Sequence, residues 1–456
     1  MRNITSQVCL PKRYTYSILG DQTVSLEIVD NPFNIPLETL VSMAARRNEK
    51  RGFLFVSKIL GKHIPIDPYV GLLGGVALGV KLIKDIYNLS YEHTERIFDA
   101  LITKCNTKDV YERVESEPFV LPKHTLFIGF AETATALGHS MFSFFRNADY
   151  IHTTREWIPE WESQLNFDEE HSHAVEHRCY PLDREMFENA EVVVLVDDEL
   201  TTGKTVLNFI KEIQKKFPKK KYIVVALLDW RKKKDKERFN ELEKELNIKI
   251  HTVSLLEGEA ETSGKALENA NSPSMVSRGG KKRVKYNSMN LKIPNVVKVT
   301  SEDSEGFENK SAYLKLTGRF GISEHENEQN VKLAKEIGLE LKEDRQGQKT
   351  CCLGTGEFMF FPMLVSAYMG DGVHYHSTTR SPIYISGSSD YAVKSGYSYP
   401  SIDEPLISSY LYNVPLDYYD EVYVFLERKV SAKRLEPMLE VLNSLGIPRI
   451  VLVVSS

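Results

Sequence analysis

Residues Val192–Thr205 read VVVLVDDELTTGKT. The unbroken apolar, mostly β-branched run at their start predicts a strand covered on both faces. It ends in two carboxylates, Asp197 and Asp198, and passes through a Thr- and Gly-rich turn into residues of helical pattern. Strand, acidic pair, small-residue turn and helix in that order form one unit of a parallel sheet wrapped by helices. Thr201, Thr202, Gly203, Lys204 and Thr205 would place backbone N–H groups, hydroxyls and a helix N-terminus around a phosphate, with Gly203 allowing close backbone approach. Asp197 and Asp198, with Glu199 next in the chain, then stand one sugar's length from that phosphate. Carboxylates there accept hydrogen bonds from vicinal ribose hydroxyls and help hold a magnesium-bearing ligand. A lone Asp198 or Glu199 would read as a helix cap; only the whole string of acidic pair, small-residue turn and helix start points to a phosphate. The string also ends in Gly-Lys-Thr as a nucleoside-triphosphate P-loop does. That loop needs a second glycine five residues before Gly203, where Asp198 stands, so a P-loop is excluded.

Outward from this unit the pattern repeats. Thr125–Phe130 (TLFIGF), Lys221–Trp230 (KYIVVALLDW) and Ile248–Leu256 (IKIHTVSLL) read as further strands, and amphipathic helices follow the 191–198 and 221–230 strands. The first strand leads into a helix start of small residues, AETATALGHSMFSFF. Upstream, Asn34–Asn48 reads as a helix and Arg51–Ser57 (RGFLFVS) as a strand. From Glu259 to about Phe307 the pattern gives way to Gly, Ser, Asn and charge, which predicts a basic linker. Within it Arg278–Lys298 holds seven Lys or Arg and no Asp or Glu. A solvated tether is the plain reading and a polyphosphate or RNA contact the sharper one; sparse aromatic residues argue against RNA. A second α/β unit follows, closed by Asp420–Leu426 (DEVYVFL), a helix over 431–445 and Pro448–Val454 (PRIVLVV), a βαβ signature.

The 456 residues carry 58 Lys plus Arg and 63 Asp plus Glu, for a net charge of -5. That balance gives no general attraction to nucleic acid or an acidic membrane. No segment has the apolar length of a signal peptide or a membrane span, which predicts a cytoplasmic protein. Five cysteines without a CxxC pair argue against a disulfide framework or a cysteine zinc site, and adjacent Cys351 and Cys352 read as small buried hydrophobes.

VVVLVDDELTTGKT resembles the phosphoribosyl-pyrophosphate (PRPP) signature of type I phosphoribosyltransferases. The resemblance implies that Asp197 and Asp198 bind the ribose hydroxyls and that Thr201–Thr205 cradle the 5′-phosphate. Mg2+ would be bound mainly through PRPP, with Asp197 and Asp198 as its protein neighbours. Gly129–Gly138, GFAETATALG, resembles the family's diphosphate-binding loop, formed here by Ala131, Glu132, Thr133, Ala134 and Thr135. Glu132 departs from a purely anion-binding loop, since a carboxylate repels diphosphate unless it works through magnesium or a bound base; close helix packing explains the segment equally well. RGFLFVSKILGKHIPID (Arg51–Asp67) resembles the early loop that lends a cation to the pocket in orotate-type relatives, which points to Lys58, with Lys62 nearby. The segment 149–183 occupies the chain position of a mobile lid and contains TTRE (Thr153–Glu156), with Arg155 as a further pocket residue, and EEHSHAVEH (Glu169–His177). Glu132, His171 and His173 are the acid–base candidates. His171, His173 and His177 with Cys179 also admit a metal reading, His173 and His177 then sharing a helix face; lid contact, surface and metal all stay open.

STTRSPI (Ser377–Ile383), TGRFG (Thr317–Gly321) and GTGEFMFFPM (Gly354–Met363) closely resemble the TRSP domain. That domain follows a phosphoribosyltransferase in bacterial operons linked to tellurium resistance and stress. Site residues there are Arg380, Ser381 and Glu357, Arg380 offering a planar fork to a phosphate or carboxylate or else bracing the domain through a buried ion pair. The fold implied is α/β: a phosphoribosyltransferase-like parallel sheet flanked by helices over 1–258, a flexible basic linker over 259–307 and a second α/β domain over 308–456. The implied function is transfer of ribose 5-phosphate from PRPP to a nitrogenous, base-like acceptor with release of diphosphate. Two alternatives accompany it: a non-catalytic PRPP- or nucleotide-sensing protein, and a nucleotide-cleaving enzyme running in reverse. Enzymes of the same operon would be its functional partners, and a homodimer follows by analogy with the fold.

Overall fold

A computed structural model describes residues 12–47, 52–132, 134–168, 176–264, 274–275 and 285–455. The strands of the first unit are β1 (Lys12–Ser17), β2 (Thr23–Asp30), β3 (Val41–Ala45), β4 (Phe53–Ser57), β5 (Phe119–Gly129) and β6 (Phe145–His152). They continue with β7 (Leu165–Asp168), β8 (Glu176–Cys179), β9 (Val192–Val196), β10 (Glu199–Leu200), β11 (Lys221–Asp229) and β12 (Lys249–Ser263). The main sheet runs β1-β2-β12-β11-β9-β5-β6, and the short strand Ile322–Ser323 closes its far edge against β6. Strands β6, β5, β9, β11 and β12 are parallel neighbours. Every residue of β9 is buried, as continuous apolar runs in a sheet covered on both faces require.

Chain order sets the crevice. β5 feeds the helix Ala134–Ser143 and returns on β6 to one side, while β9 feeds the helix Lys204–Lys216 and returns on β11 to the other. The connections therefore diverge between the carboxyl ends of β5 and β9, and that divergence is where ligands bind in open α/β sheets.

The second unit has a five-stranded sheet in the order Asn287–Leu291, Arg449–Ser455, Glu421–Leu426, Thr350–Gly354, Val373–Ser377, all parallel. The carboxyl-terminal βαβ unit lies where the sequence places it, with its helix over Ala432–Ser444. Cys351 and Cys352 are buried in the Thr350–Gly354 strand. The two units share one core, in which Leu72, Phe127 and Tyr150 of the first belong to the same apolar cluster as Phe360, Tyr375 and Val451 of the second.

Two sequence expectations are corrected. Asn34–Asn48 is not a helix: Leu37–Leu40 makes one turn and β3 then pairs antiparallel with β4, from Val41↔Ser57 to Ala45↔Phe53. Tyr391 Oη and Tyr384 N, in the second unit, bond Ala45 N and O respectively, so distant partners override local helix propensity. The stretch 259–307 is not simply a linker. β12 continues along β2 to Ser263, and Asn287–Leu291 is the outer strand of the second sheet. Both are polar edge segments with largely exposed residues, so neither has the apolar run by which strands are read. Of the basic stretch Arg278–Lys298, residues 278–284 lie outside the described residues. Among the described residues, no helix is long and apolar enough to cross a membrane.

Candidate active site

Residues 197–205 lie at the divergence point, beyond the carboxyl end of β9. Asp197 N donates to Val225 O at 2.9 Å and Leu227 N to Asp198 O at 3.2 Å, and β10 pairs with Leu228 and Asp229. The acidic pair is thus pinned by its backbone to β11. Asp197 Oδ1 accepts from Asp198 N at 2.9 Å, and both side chains remain partly exposed. Gly203, at φ +68°, is the N-cap of the 13-residue helix Lys204–Lys216 and supplies no side-chain cap. A Cβ at Gly203 would meet the Phe239 ring at 2.5 Å, so the left-handed turn and the close approach both require glycine. The turn is floored by Arg231, whose guanidinium grips buried Asp229 at 2.6 and 2.9 Å and lies 4.2 Å from the centre of the Phe239 ring. The helix start therefore presents first-turn N–H groups and the positive end of its dipole to the crevice.

Across the crevice, the loop after β5 is tied to the chain leaving β6. Ala131 N donates to Thr153 Oγ1 at 2.9 Å, and Thr135 Oγ1 donates to Glu132 O at 2.9 Å. Buried Glu132 forms an ion pair with Arg155 at 3.2 Å, while its Oε1 has no hydrogen-bond partner among the described residues. Gly129 also serves packing, because a Cβ there would meet Ala134 O and the Tyr150 hydroxyl at 2.7 Å.

Thr133, His171 and His173 lie outside the described residues. His177 is not on a helix with His173: it lies in β8, paired with β7, where it is buried against Phe167 and 3.2 Å from Thr153 Oγ1. Cys179 is buried in the same strand. Among the described residues, no group of three or more His, Cys, Asp or Glu could hold a metal ion. Lys58 turns to Glu38 O at 2.8 Å, at the foot of the β3–β4 hairpin.

Residues 40–259 match a family described as phosphoribosyl transferase, and residues 316–442 match the TRSP domain found C-terminal to it. The chain carries a phosphoribosyl transferase domain followed by a TRSP domain. Its first domain thus belongs to a family of pentosyl-transferring enzymes. Among solved structures it is similar to adenine phosphoribosyl transferase from Trypanosoma brucei at 17% identity, over 34% of this chain and 67% of that one, with a TM-score of 0.23. Similarity to the Giardia lamblia adenine enzyme is 18% identity over 35% and 83% of the two chains, with a TM-score of 0.20. For the orotate enzyme of Aeropyrum pernix the identity is 12% over 33% and 72%, with a TM-score of 0.18. No curated protein matches the chain.

The TRSP domain closes on the transferase domain through a buried ion network that sequence reading missed. Arg319, in TGRFG, is 1% exposed. It donates to Thr154 Oγ1 at 2.8 Å, pairs with Glu427 at 2.7 Å and forms a short ion pair with Glu357. Glu357 in turn accepts from Thr154 Oγ1 at 2.6 Å and Arg155 N at 2.8 Å. Glu357 is therefore engaged in joining the domains. Burial alone would raise its carboxyl, but Arg319, His152 and these hydrogen bonds outweigh burial and hold it at about 2. Burial, aided by Arg319, pushes His152 down to about 4, so that ring is neutral at physiological pH. Ser381 belongs to a different contact, in which Tyr412 Oη donates to its carbonyl and neighbouring Pro382 accepts from Arg47 N beside the β3–β4 hairpin. The buried bracing arginine is thus Arg319, whereas Arg380 faces an interdomain cavity.

Proposed function

We propose that the protein transfers ribose 5-phosphate from PRPP to a nitrogenous, base-like acceptor with release of diphosphate. The observation that carries this reading is the juxtaposition at the divergence point: two adjacent carboxylates on a backbone pinned to β11, next to a glycine-capped helix start. In this reading Thr201–Thr205 hold the 5′-phosphate and Asp197 and Asp198 the ribose hydroxyls, with Glu199 beside them. The loop Ala131–Thr135 faces the diphosphate. Arg155 is the cation tied to that loop and would help neutralise the leaving group as the anomeric carbon becomes oxocarbenium-like. That role requires Arg155 to exchange Glu132 for the incoming anion. Glu132, together with His171 and His173 in the lid, would handle the acceptor's proton.

Asp197 and Asp198 present hard oxygen donors of the kind Mg2+ takes, in a number that suits an ion carried in by a diphosphate and not a cage built by protein alone. Mg2+ bound in this way would supply charge neutralisation at the diphosphate.

Pyrophosphate release from PRPP, screened over purines, pyrimidines and pyridine carboxylates, tests the proposal; release with one acceptor supports it. Hydrolysis of nucleotides with no release from PRPP would contradict it. Gly203→Val is expected to abolish transfer, since it forces a β-branched residue into the left-handed region and onto Phe239; a variant with full turnover would show that the turn does not hold the phosphate. The TRSP pairing further supports a cytoplasmic role beside operon enzymes in making a nucleoside-like stress metabolite. Unchanged tellurite tolerance after gene deletion would remove that placement.

A further inference from the structure

A cavity of about 700 Å³ lies between the two domains, a size suited to a nucleotide-sized ligand. One wall is the chain leaving β6, at Arg155, Glu156 and Trp157; the other is built at the carboxyl ends of the TRSP sheet. That sheet has its own divergence point. Thr350–Gly354 connects through the helix Phe360–Ala367 to Val373–Ser377 on one side, and Glu421–Leu426 connects through Ala432–Ser444 to Arg449–Ser455 on the other. Arg380 follows Val373–Ser377, and Arg428 and Lys429 follow Glu421–Leu426. Ligand-binding crevices in open parallel sheets form at this position, and none of the residues 197–205 lines the cavity.

The lining charges fall into two groups. Arg428 pairs with Glu156 at 3.4 Å, Arg434 with Asp303 at 2.6 Å, Arg178 with Glu176, and Arg155 with Glu132 at 3.2 Å. Arg380 and Lys429, by contrast, have no hydrogen bond or ion pair from their side chains among the described residues. On the acidic side, Ser304 N and Oγ bond Glu404, while Glu302 and Asp403 also face the lumen. Asp403 is exposed to solvent where it lines the cavity, which leaves its carboxylate open to hydrogen bonding. Two aromatic rings complete the lining: Trp157 is 45% exposed and Phe307 48%, both unusually open for their size. Arg434 covers one face of Phe307, with its guanidinium 4.2 Å from the ring centre. The backbone of Trp157 is fixed by a bridge to Glu302.

An exposed aromatic face, carboxylates open to hydroxyl donors and cations with no ion pair or side-chain hydrogen bond among the described residues are the three chemistries a nucleotide requires. We propose that this cavity is a second ligand site, taking a nucleoside 5′-monophosphate with its base against Trp157, its ribose toward Asp403 and its phosphate on Arg380 and Lys429. The two sites adjoin at Arg155, but the cavity's aromatic, acidic and cationic lining carries the proposal without the transfer reading; a phosphoribosyl transfer product belongs to the same chemical class.

The test is an AMP titration of the full chain followed by tryptophan fluorescence, with Asp197→Asn/Asp198→Asn in the background to weaken binding in the other crevice. Saturable quenching at millimolar AMP or below is expected. Adding Arg380→Ala and Lys429→Ala should weaken it roughly tenfold or more, and adenosine should bind similarly less well than AMP. Neither cation makes a side-chain hydrogen bond or ion pair among the described residues, so these variants should fold; Arg380→Gln serves as a second, milder change. No saturable quenching, or a titration indifferent to both cations, would overturn the proposal. PRPP binding by the Arg380→Ala protein should match the parent, which separates failure here from failure of the transfer reading.

Discussion

Replacing Asp197 and Asp198 together with asparagine is expected to weaken PRPP binding by roughly a hundredfold or more, with little change in melting temperature. Hydrogen bonds to ionised groups contribute about 1.5–3 kcal/mol each, so losing two costs about 3–6 kcal/mol. The fold should survive because the loop is held by main-chain bonds from Asp197 N to Val225 O and Leu227 N to Asp198 O. The bond from Asp198 N to Asp197 Oδ1 can also be kept by an asparagine carbonyl. Calorimetry with PRPP, alongside thermal melts, reads both quantities. Unchanged affinity in a folded double variant would remove the ribose assignment.

Arg319→Met should give the largest structural effect. Removing one partner from a buried ion pair costs about 3–5 kcal/mol because the other charge stays behind, and here two carboxylates, Glu357 and Glu427, would lose their shared partner. A fall in denaturation midpoint is expected, together with faster proteolysis between the domains. A midpoint shift equivalent to less than about 1 kcal/mol would show that the network contributes little. The same network predicts acid sensitivity. Because Glu357 is held at about 2, below the ordinary 4.5, its contribution is present in full above about 4.5 and is lost as pH falls toward 2. Glu427 moves up, burial outweighing Arg319, so the acid-labile share belongs to Glu357. Glu357→Gln should flatten stability against pH in that window; an unchanged slope would contradict the assignment.

The central strands and the acidic turn were legible in the sequence because their signals are local. A strand covered on both faces must be apolar throughout, as β9 is, and the residues from Asp197 to Thr205 that form the turn are consecutive. The elements that escaped are defined by distant partners. β3 is a strand because of β4 and the contacts at Ala45. The polar edge of the TRSP sheet, Asn287–Leu291, is a strand because Arg449–Ser455 lies beside it. Arg319 reaches Thr154 across 165 positions, and the only local hint is an arginine set between glycines in TGRFG. The floor beneath Gly203, made by Arg231, Asp229 and Phe239, is similarly spread along the chain.

Transfer from PRPP requires that the crevice between β5 and β9 bind it. Calorimetric titration of the intact protein with PRPP, with and without Mg2+, measures this directly. Saturable binding of one PRPP per chain, strengthened by Mg2+, is the predicted result. No heat of binding at millimolar PRPP in either condition would contradict it.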